Sequence, residues 1–498
     1  MWHSSRPRIA HVKFEVTKGK KQLCEVEGNS HASYFQHSTK TLTCELLTMV
    51  TNSLWTRYLI LGCILVSPLS AACPAADSRP NVVLMMVDDF GYECVGANGG
   101  ESYPTPNLDR LASTGMRFEH CHVQPLCTPT RVQLMTGKYN LRNYLWFGIL
   151  DREAKTFGHL FQDAGYATGI CGKWQLGHEI DAPQHFGFQE AYLWQHTRRP
   201  PRYINPGLEH NGKEQDFDHG EYGPTLVNQF AKDFISKHRD QEFFLYYPMI
   251  LTHDPFQPTP DSEDWDPSIK TEREARDVKH FGEMTTYMDK MVGEIDDHLR
   301  QLGIRDNTLL IIIGDNGTHP TVTSRFQGKE YQGGKGKTTN NGTHVPMIVS
   351  WPKLITAPRV SDALISSTDF LPTICEAAGI EVPQGIDGFS FYNHMLGNPT
   401  GPRKWLYTWY SRRQQLDLEV FEYVFDRQYK LYRNGDFFDL KDDFEQRNPL
   451  QLDALSESAK QAYAELLAAL ATFDGARDTS LDRRFIESRA NSGSTSRE

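Results

Sequence analysis

Residues 82–89, Val-Val-Leu-Met-Met-Val-Asp-Asp, decide how the fold is read: six consecutive apolar side chains run directly into two carboxylates. An unbroken apolar run of strand length is what a strand covered on both faces needs, as in the parallel sheets of α/β proteins. The pattern recurs three times. Tyr166–Cys171 runs into Gly172-Lys173, Phe243–Ile250 into Thr252-His253, and Leu309–Ile313 into Gly314-Asp315-Asn316. In open α/β sheets the ligand crevice lies beyond the carboxyl ends of the strands, so these four polar ends are expected to converge although they stand far apart in the chain.

Helical patterns lie between the runs. Phe281, Met284, Met288, Met291, Val292, Ile295, Leu299 and Leu302 recur at three- and four-residue steps up to Gly303, which predicts an amphipathic helix whose methionines fill the core. Pro224–Phe234 and Thr156–Ala164 read as further crossover helices, and residues 195–223, rich in Pro, Gly, His and charge, as a surface loop bordering a pocket. Beyond residue 400, Trp405–Tyr410, Phe421–Phe425, Tyr429–Tyr432 and Phe437–Leu440 read as aromatic strands of a small antiparallel sheet, followed by a helix over Ala459–Leu470. The expected fold class is therefore α/β, a large mostly parallel sheet flanked by helices with a smaller C-terminal antiparallel sheet plus helix. The expected boundaries are 77–400 for the main domain, 401–488 for the C-terminal subdomain and 489–498 for a disordered tail.

Of the 498 residues, 39% are hydrophobic and 11% aromatic, enough for a large core, and the net charge of −11 excludes a general affinity for nucleic-acid phosphates. Arg57-Tyr-Leu-Ile-Leu-Gly-Cys-Ile-Leu-Val66, followed by Ser67-Pro-Leu-Ser-Ala-Ala72, has the layout of a signal peptide and is short for a membrane span. Such a signal belongs at a start, so Met49 is expected to begin the protein, with 49–76 its signal and 1–48 a spurious extension. The expected location is periplasmic or secreted, with no stable membrane span after signal removal. Without residues 1–76, which hold 8 basic and 4 acidic side chains, the net charge becomes −15. Five cysteines then remain, Cys94, Cys121, Cys127, Cys171 and Cys375, and an odd number leaves at least one unpaired.

Three carboxylates, Asp88, Asp89 and Asp315, with the amide Asn316, form an all-oxygen set that needs a cation to offset its repulsion. Hard oxygen donors without His or Cys favour calcium over zinc. Any one of these pairs alone is an ordinary strand or turn cap; their joint placement at strand ends carries the reading. Arg131, Lys173 and Lys335 each stand beside glycine or a turn, and with a metal they make a site for a tetrahedral oxyanion such as a sulfate or phosphate ester. In Pro-Leu-Cys-Thr-Pro-Thr-Arg, residues 125–131, Pro129 suits the first turn of a helix and puts Cys127 at its N-terminus, where a thiolate or bound anion is favoured.

Cys127-Thr-Pro-Thr-Arg131, followed by Thr136-Gly137, resembles the sulfatase signature Cys-x-Pro-x-Arg. The resemblance extends through Asn81–Asp89, Gly172-Lys173-Trp174, Thr252-His253, Gly314-Asp-Asn-Gly317 and Gly333-Gly-Lys-Gly336 with Pro346, over roughly residues 80 to 445. It implies the alkaline-phosphatase-like fold and oxidation of Cys127 to formylglycine by a maturation enzyme. One hydroxyl of the hydrated aldehyde, beside the metal and Arg131, would attack sulfur; deprotonation of the other would re-form the carbonyl and eject sulfate. By position Asp88, Asp89, Asp315 and Asn316 resemble the calcium ligands, Lys173 and Lys335 the sulfate clamp, and His253 the general acid. The family commonly has His where Gln175 stands and often Arg where His344 stands, so Gln175 is expected to orient a hydroxyl or water and His344 either to compensate as a base or to be structural. The expected substrate is a sulfated small molecule or glycan. The competing expectations are a phosphate or phosphonate monoester hydrolase and a degenerate sulfated-glycan-binding protein. Asn316-Gly-Thr318 and Asn341-Gly-Thr343 match glycosylation sequons but read as pocket loops.

Overall fold

All four apolar runs form strands, and the four lie side by side. In the computed structural model, which describes residues 79–268, 278–398, 403–415 and 417–494, they are β1 (Asn81–Val87), β3 (Ala167–Lys173), β7 (Phe243–Pro248) and β8 (Thr308–Gly314), in the spatial order β8-β1-β7-β3 and parallel throughout. The expected signal peptide and the extension before it lie outside the described residues. No helix among the described residues is long and apolar enough to cross a membrane.

Six further strands extend this centre. They are β2 (Met116–His122), β4 (Glu190–Trp194), β5 (Gly207–His210), β6 (Lys213–Asp216), β11 (His344–Ser350) and β12 (Arg359–Ser366); a separate hairpin supplies β9 (Thr323–Phe326) and β10 (Lys329–Gln332). The ten-stranded order is β12-β2-β11-β8-β1-β7-β3-β4-β5-β6. It is parallel from β8 to β4 and antiparallel where β11 and the β5-β6 hairpin join, so the sheet is mixed with a parallel heart. Burial explains the sequence texture. Along β1, Val82, Leu84 and Met86 enter the core on one face while Val83, Met85 and Val87 enter the core on the other. With both faces covered, alternation disappears.

The segment 195–223 departs from its expected loop character. Its middle is the β5-β6 hairpin, which prolongs the main sheet beyond β4. The turn is Asn211-Gly212, both at positive φ, the two-residue turn that matches strand twist. That dipeptide was the strand signal within a stretch otherwise dominated by polar residues. The expected disordered tail also begins too early, because the last helix runs Thr479–Ser494. Phe485 is fully buried on it and Arg413 pairs with Asp482, anchors that a polar composition hides. The remaining residues 495–498 lie outside the described residues.

The methionine-rich helix spans Val278–Gln301, with Met284, Met288 and Met291 in the core, and the other crossover helices span Gly223–Lys237 and Phe157–Asp163. The C-terminal sheet has the order β13 (Leu406–Tyr410), β14 (Phe421–Phe425), β15 (Tyr429–Tyr432), β16 (Phe437–Asp439), all antiparallel, and the helix Glu457–Ala471 packs on it. Cys94, Cys121, Cys127, Cys171 and Cys375 are all buried free thiols.

Candidate active site

The polar ends of β1, β3, β7 and β8 meet. Backbone hydrogen bonds stitch them just past the strands: Asp88 N–H donates to Leu251 O at 2.9 Å, Thr252 N–H to Asp88 O at 2.7 Å and Asp315 N–H to Val87 O at 2.9 Å. Asp89 stands in the left-handed region at φ 59°, which Asp tolerates better than most side chains. Gly172 is obligatory here, because a Cβ on it would lie 1.9 Å from Pro248 O; the missing side chain lets β3 close on β7 immediately before Lys173.

Cys127 opens the helix Cys127–Thr136, whose ten residues are all buried and which ends at Gly137 in the left-handed conformation. Thr130 ties this helix to the strand ends, its hydroxyl donating to Asp315 O at 2.7 Å. A ligand atom of Cys127 lies within 4.8 Å of carboxylate oxygens of Asp88 and Asp315, and Asp88, Asp89 and His253 form a second group within the same limit. Burial raises the Cys127 thiol above its ordinary range although the Lys173 charge opposes this.

Three cations face three carboxylates. Lys173 Nζ donates to Asp88 at 2.7 Å and 3.0 Å, Lys335 Nζ to Asp89 at 2.6 Å, and Arg131 Nη2 to Asp315 at 3.1 Å. Arg131 also donates to Lys173 O at 2.8 Å, which fixes the fork. Burial would raise the Asp88 carboxyl, but Lys173, His253 and Arg131 overcome it and hold the group well below the carboxylate range. Asp315 goes the other way: burial and the neighbouring Asp88 charge push it up to about 8 despite Arg131.

Asn316 donates through Nδ2 to Asp89 at 2.8 Å, and its Oδ1 is buried with no hydrogen-bond partner. Three carboxylates at zero exposure together with an orphaned amide oxygen are the donor set a hard divalent cation takes. The residues present therefore fit calcium.

His253 is one of the two partly exposed members, with 14% of its side chain exposed against 15% for Lys335. Its Nε2 lies 3.0 Å from Lys335 Nζ, and its Nδ1 is 2.5 Å from Asp254 O and 3.0 Å from Asp254 Oδ1. An ammonium can only donate, so Nε2 accepts and the ring proton sits on Nδ1 toward Asp254. Burial lowers the imidazole below its ordinary value although Asp89 opposes this.

Gln175 follows Trp174 at φ 55°, is buried, and its Oε1 has no partner. His344 does not join the cluster. Its ring stacks on Tyr92 and His122, its Nε2 lies 2.7 Å from Glu119 O, and burial lowers it to about 3. The structure thus gives His344 no role as a base at the strand ends, because its strand register pairs it with His122. Asn316 and Asn341 are buried, so neither sequon presents its amide for glycosylation.

Two contributors escaped sequence reading. Asp254 was adjacent to His253 and could have been proposed as its orienter. Lys430 could not: it stands in an aromatic strand, fully enclosed, with Nζ 3.8 Å from the Tyr423 ring centre and 5.1 Å from that of Tyr432, and it donates to Thr338 O on the loop carrying Lys335.

The Sulfatase family profile matches residues 80–380, and the profile described as N-sulphoglucosamine sulphohydrolase, C-terminal, matches residues 335–472. Arylsulfatase A of Bos taurus is 31% identical over 399 residues, 72% of this chain and 74% of the relative. N-acetylgalactosamine-6-sulfatase of Canis lupus familiaris is 31% identical over 381 residues, 68% of this chain and 71% of the relative. The solved structure of Ps i-CgsB in complex with k-i-k-neocarrahexaose is 26% identical with a TM-score of 0.68, covering 80% of this chain and 94% of that one.

Proposed function

The chain belongs to the sulfatase family and is a sulfatase, and from that premise we propose that it releases sulfate from a sulfated carbohydrate, using a formylglycine made from Cys127 and a calcium ion held by Asp88, Asp89, Asp315 and Asn316. The observation that carries the reading is the matched set of three buried carboxylates and three cations around Cys127. With all three carboxylates ionised, as ligands of a bound ion would be, these charges balance among themselves. A divalent cation added to them leaves the pocket net positive, which favours a sulfate ester over a neutral one.

When bound, the ion supplies Lewis-acid polarisation of a sulfate oxygen. The hydrated aldehyde of a formylglycine at 127 would supply two hydroxyls on one carbon: one to attack sulfur as the alcohol leaves, the other to lose its proton so that the carbonyl re-forms and the C–O bond to sulfate breaks. The chain's own residues do the rest. Arg131, clamped by Lys173 O and Asp315, holds a fixed positive charge beside residue 127. Lys173 and Lys335 present ammonium groups to the oxyanion and stabilise the charge that grows on it. His253 donates a proton from Nε2 to the leaving oxygen, with the Asp254 carboxylate 3.0 Å from Nδ1 to stabilise the imidazolium that this requires. Gln175, with its free buried oxygen, orients a hydroxyl or water; an amide is no base at neutral pH.

The carbohydrate assignment rests on the names of relatives, one of them an N-acetylgalactosamine-6-sulfatase. Secretion, and recognition by a maturation enzyme, belong to the same proposal. The test combines peptide mass spectrometry across Cys127, on protein made in a host carrying the maturation enzyme, with sulfate release from sulfated N-acetylhexosamines. An aldehyde at 127 and sulfate release are expected. A thiol alone, with the maturation enzyme active on a control, would sink the mechanism.

A further inference from the structure

A second cluster of ligating side chains lies outside the active site. His120 and His122 stand two residues apart on β2, so both project from the same face of the strand. Directly opposite His122 on the neighbouring strand is His344, the first residue of β11. Ligand nitrogens of the three rings all lie within 4.8 Å of one another. His122 is more than nine-tenths buried and its Nδ1 has no hydrogen-bond partner. Burying an imidazole nitrogen without a partner is costly, and an ion is one way to satisfy it.

From this arrangement we propose that His120, His122 and His344 form a metal site separate from the catalytic one, for a transition ion of the zinc type. The donor chemistry selects the ion. Three imidazoles, with no carboxylate or thiolate in the set, suit zinc and its neighbours and are poor ligands for calcium. His344 is already arranged as a ligand: its Nε2 engages Glu119 O at 2.7 Å, which makes Nε2 the donor and turns the Nδ1 lone pair outward. His120 and His344 are only partly buried, which leaves an entry path.

A tetrahedral zinc with bonds of about 2.0–2.1 Å needs ligand nitrogens about 3.3 Å apart, so the ring atoms must close slightly. The rings of His122 and His344 are stacked at 13°, and those of His120 and His344 at 18°. Parallel rings cannot share an in-plane ion, so His120 and His122 must turn about χ2, a broad torsion that turns at little cost. Nearby cations do not block the site. Arg427 is drawn onto Asp362 O at 2.7 Å and 2.9 Å, and Lys430 is held under the rings of Tyr423 and Tyr432 and on Thr338 O. Phe425 of the C-terminal sheet packs edge-on against His122 at 4.8 Å, so a bound ion would stiffen the contact between the two sheets.

The test titrates zinc chloride calorimetrically into the calcium-saturated protein. One tight zinc site is expected, weakened by about 100-fold or more in His120→Ala and unchanged in Asp89→Asn. No zinc binding by the wild type, survival of the site in His120→Ala, or its loss in Asp89→Asn would each overturn the proposal. Thermal unfolding without zinc checks that His120→Ala folds. X-ray absorption at the zinc edge of the wild type reads the ligands without any variant: an imidazole-dominated shell is expected, and sulfur or an all-oxygen shell would move the ion to the Cys127 cluster.

Discussion

Two of the polar clusters buried among the described residues are stabilised in opposite ways. At the ends of β1, β3, β7 and β8 every carboxylate meets a cation within hydrogen-bonding distance, and full burial at 0% exposure is tolerated because charge answers charge. Between β2 and β11 three imidazoles stack, His344 on His120, His122 and Tyr92, no ion pair to them occurs among the described residues, and burial lowers all three below the ordinary imidazole value. The first arrangement stores electrostatic potential for an anionic substrate. The second stores only lone pairs. The lesson is that burial of polar groups by itself does not announce catalysis; the sign and balance of charge do.

That contrast can be broken most severely at residue 127. Cys127→Ala is expected to lower sulfate release by on the order of 10⁴-fold or more, since the nucleophile is lost while binding remains. A loss under tenfold in initial rate would show that residue 127 is not the reacting centre. Chelation comes next. Removing calcium is expected to reduce turnover on the order of 10³-fold, restored by calcium and not by zinc; activity unaffected by a chelator would reassign Asp88, Asp89 and Asp315 to a purely structural role.

Arg131→Met probes the charge balance directly. It leaves Asp315 buried beside Asp88 without its guanidinium, and stability is expected to fall by about 3–5 kcal/mol, read from denaturant unfolding. Because Asp315 is already pushed up to about 8, protonation can absorb part of that cost; no loss at all would contradict the pairing. His253→Gln should be milder, about 10²–10³-fold in turnover for substrates with poor leaving groups. The sign of the pH profile follows from its lowered value: the protonated ring is the active acid, so the rate is highest below that pKa and falls as pH rises through it. His253→Gln should abolish that limb, and a profile identical to wild type would exclude the role. The smallest effect is expected at the other cluster, where His120→Ala should leave sulfate release within about twofold, as for a residue remote from the chemistry. A large loss there would join the two clusters into one machine.

Much of the first cluster was legible because each of its members sits at a sequence discontinuity. Asp88-Asp89, Lys173, His253 and Asp315-Asn316 interrupt apolar runs, and strand ends in a parallel sheet converge by topology. For His344 the sequence left a compensating base and a structural role both open, and its strand register against His122, which decides its neighbours, fits the structural one. The antiparallel flanks were less visible for a related reason. β5 and β6 are short, and β6 is exposed along its whole length, so neither leaves an apolar signature, and only Asn211-Gly212 marks them. Lys430 was illegible altogether: no local pattern says that a lysine will end under aromatic rings holding a loop from the other sheet.

The five buried thiols carry one more consequence. None of Cys94, Cys121, Cys127, Cys171 and Cys375 is cross-linked, so across the described residues side-chain packing, hydrogen bonds and ion pairs hold the fold with no covalent staple. Thermal stability of this part should therefore be the same with and without a strong reductant, a robustness unusual for a protein expected to work outside the cytosol.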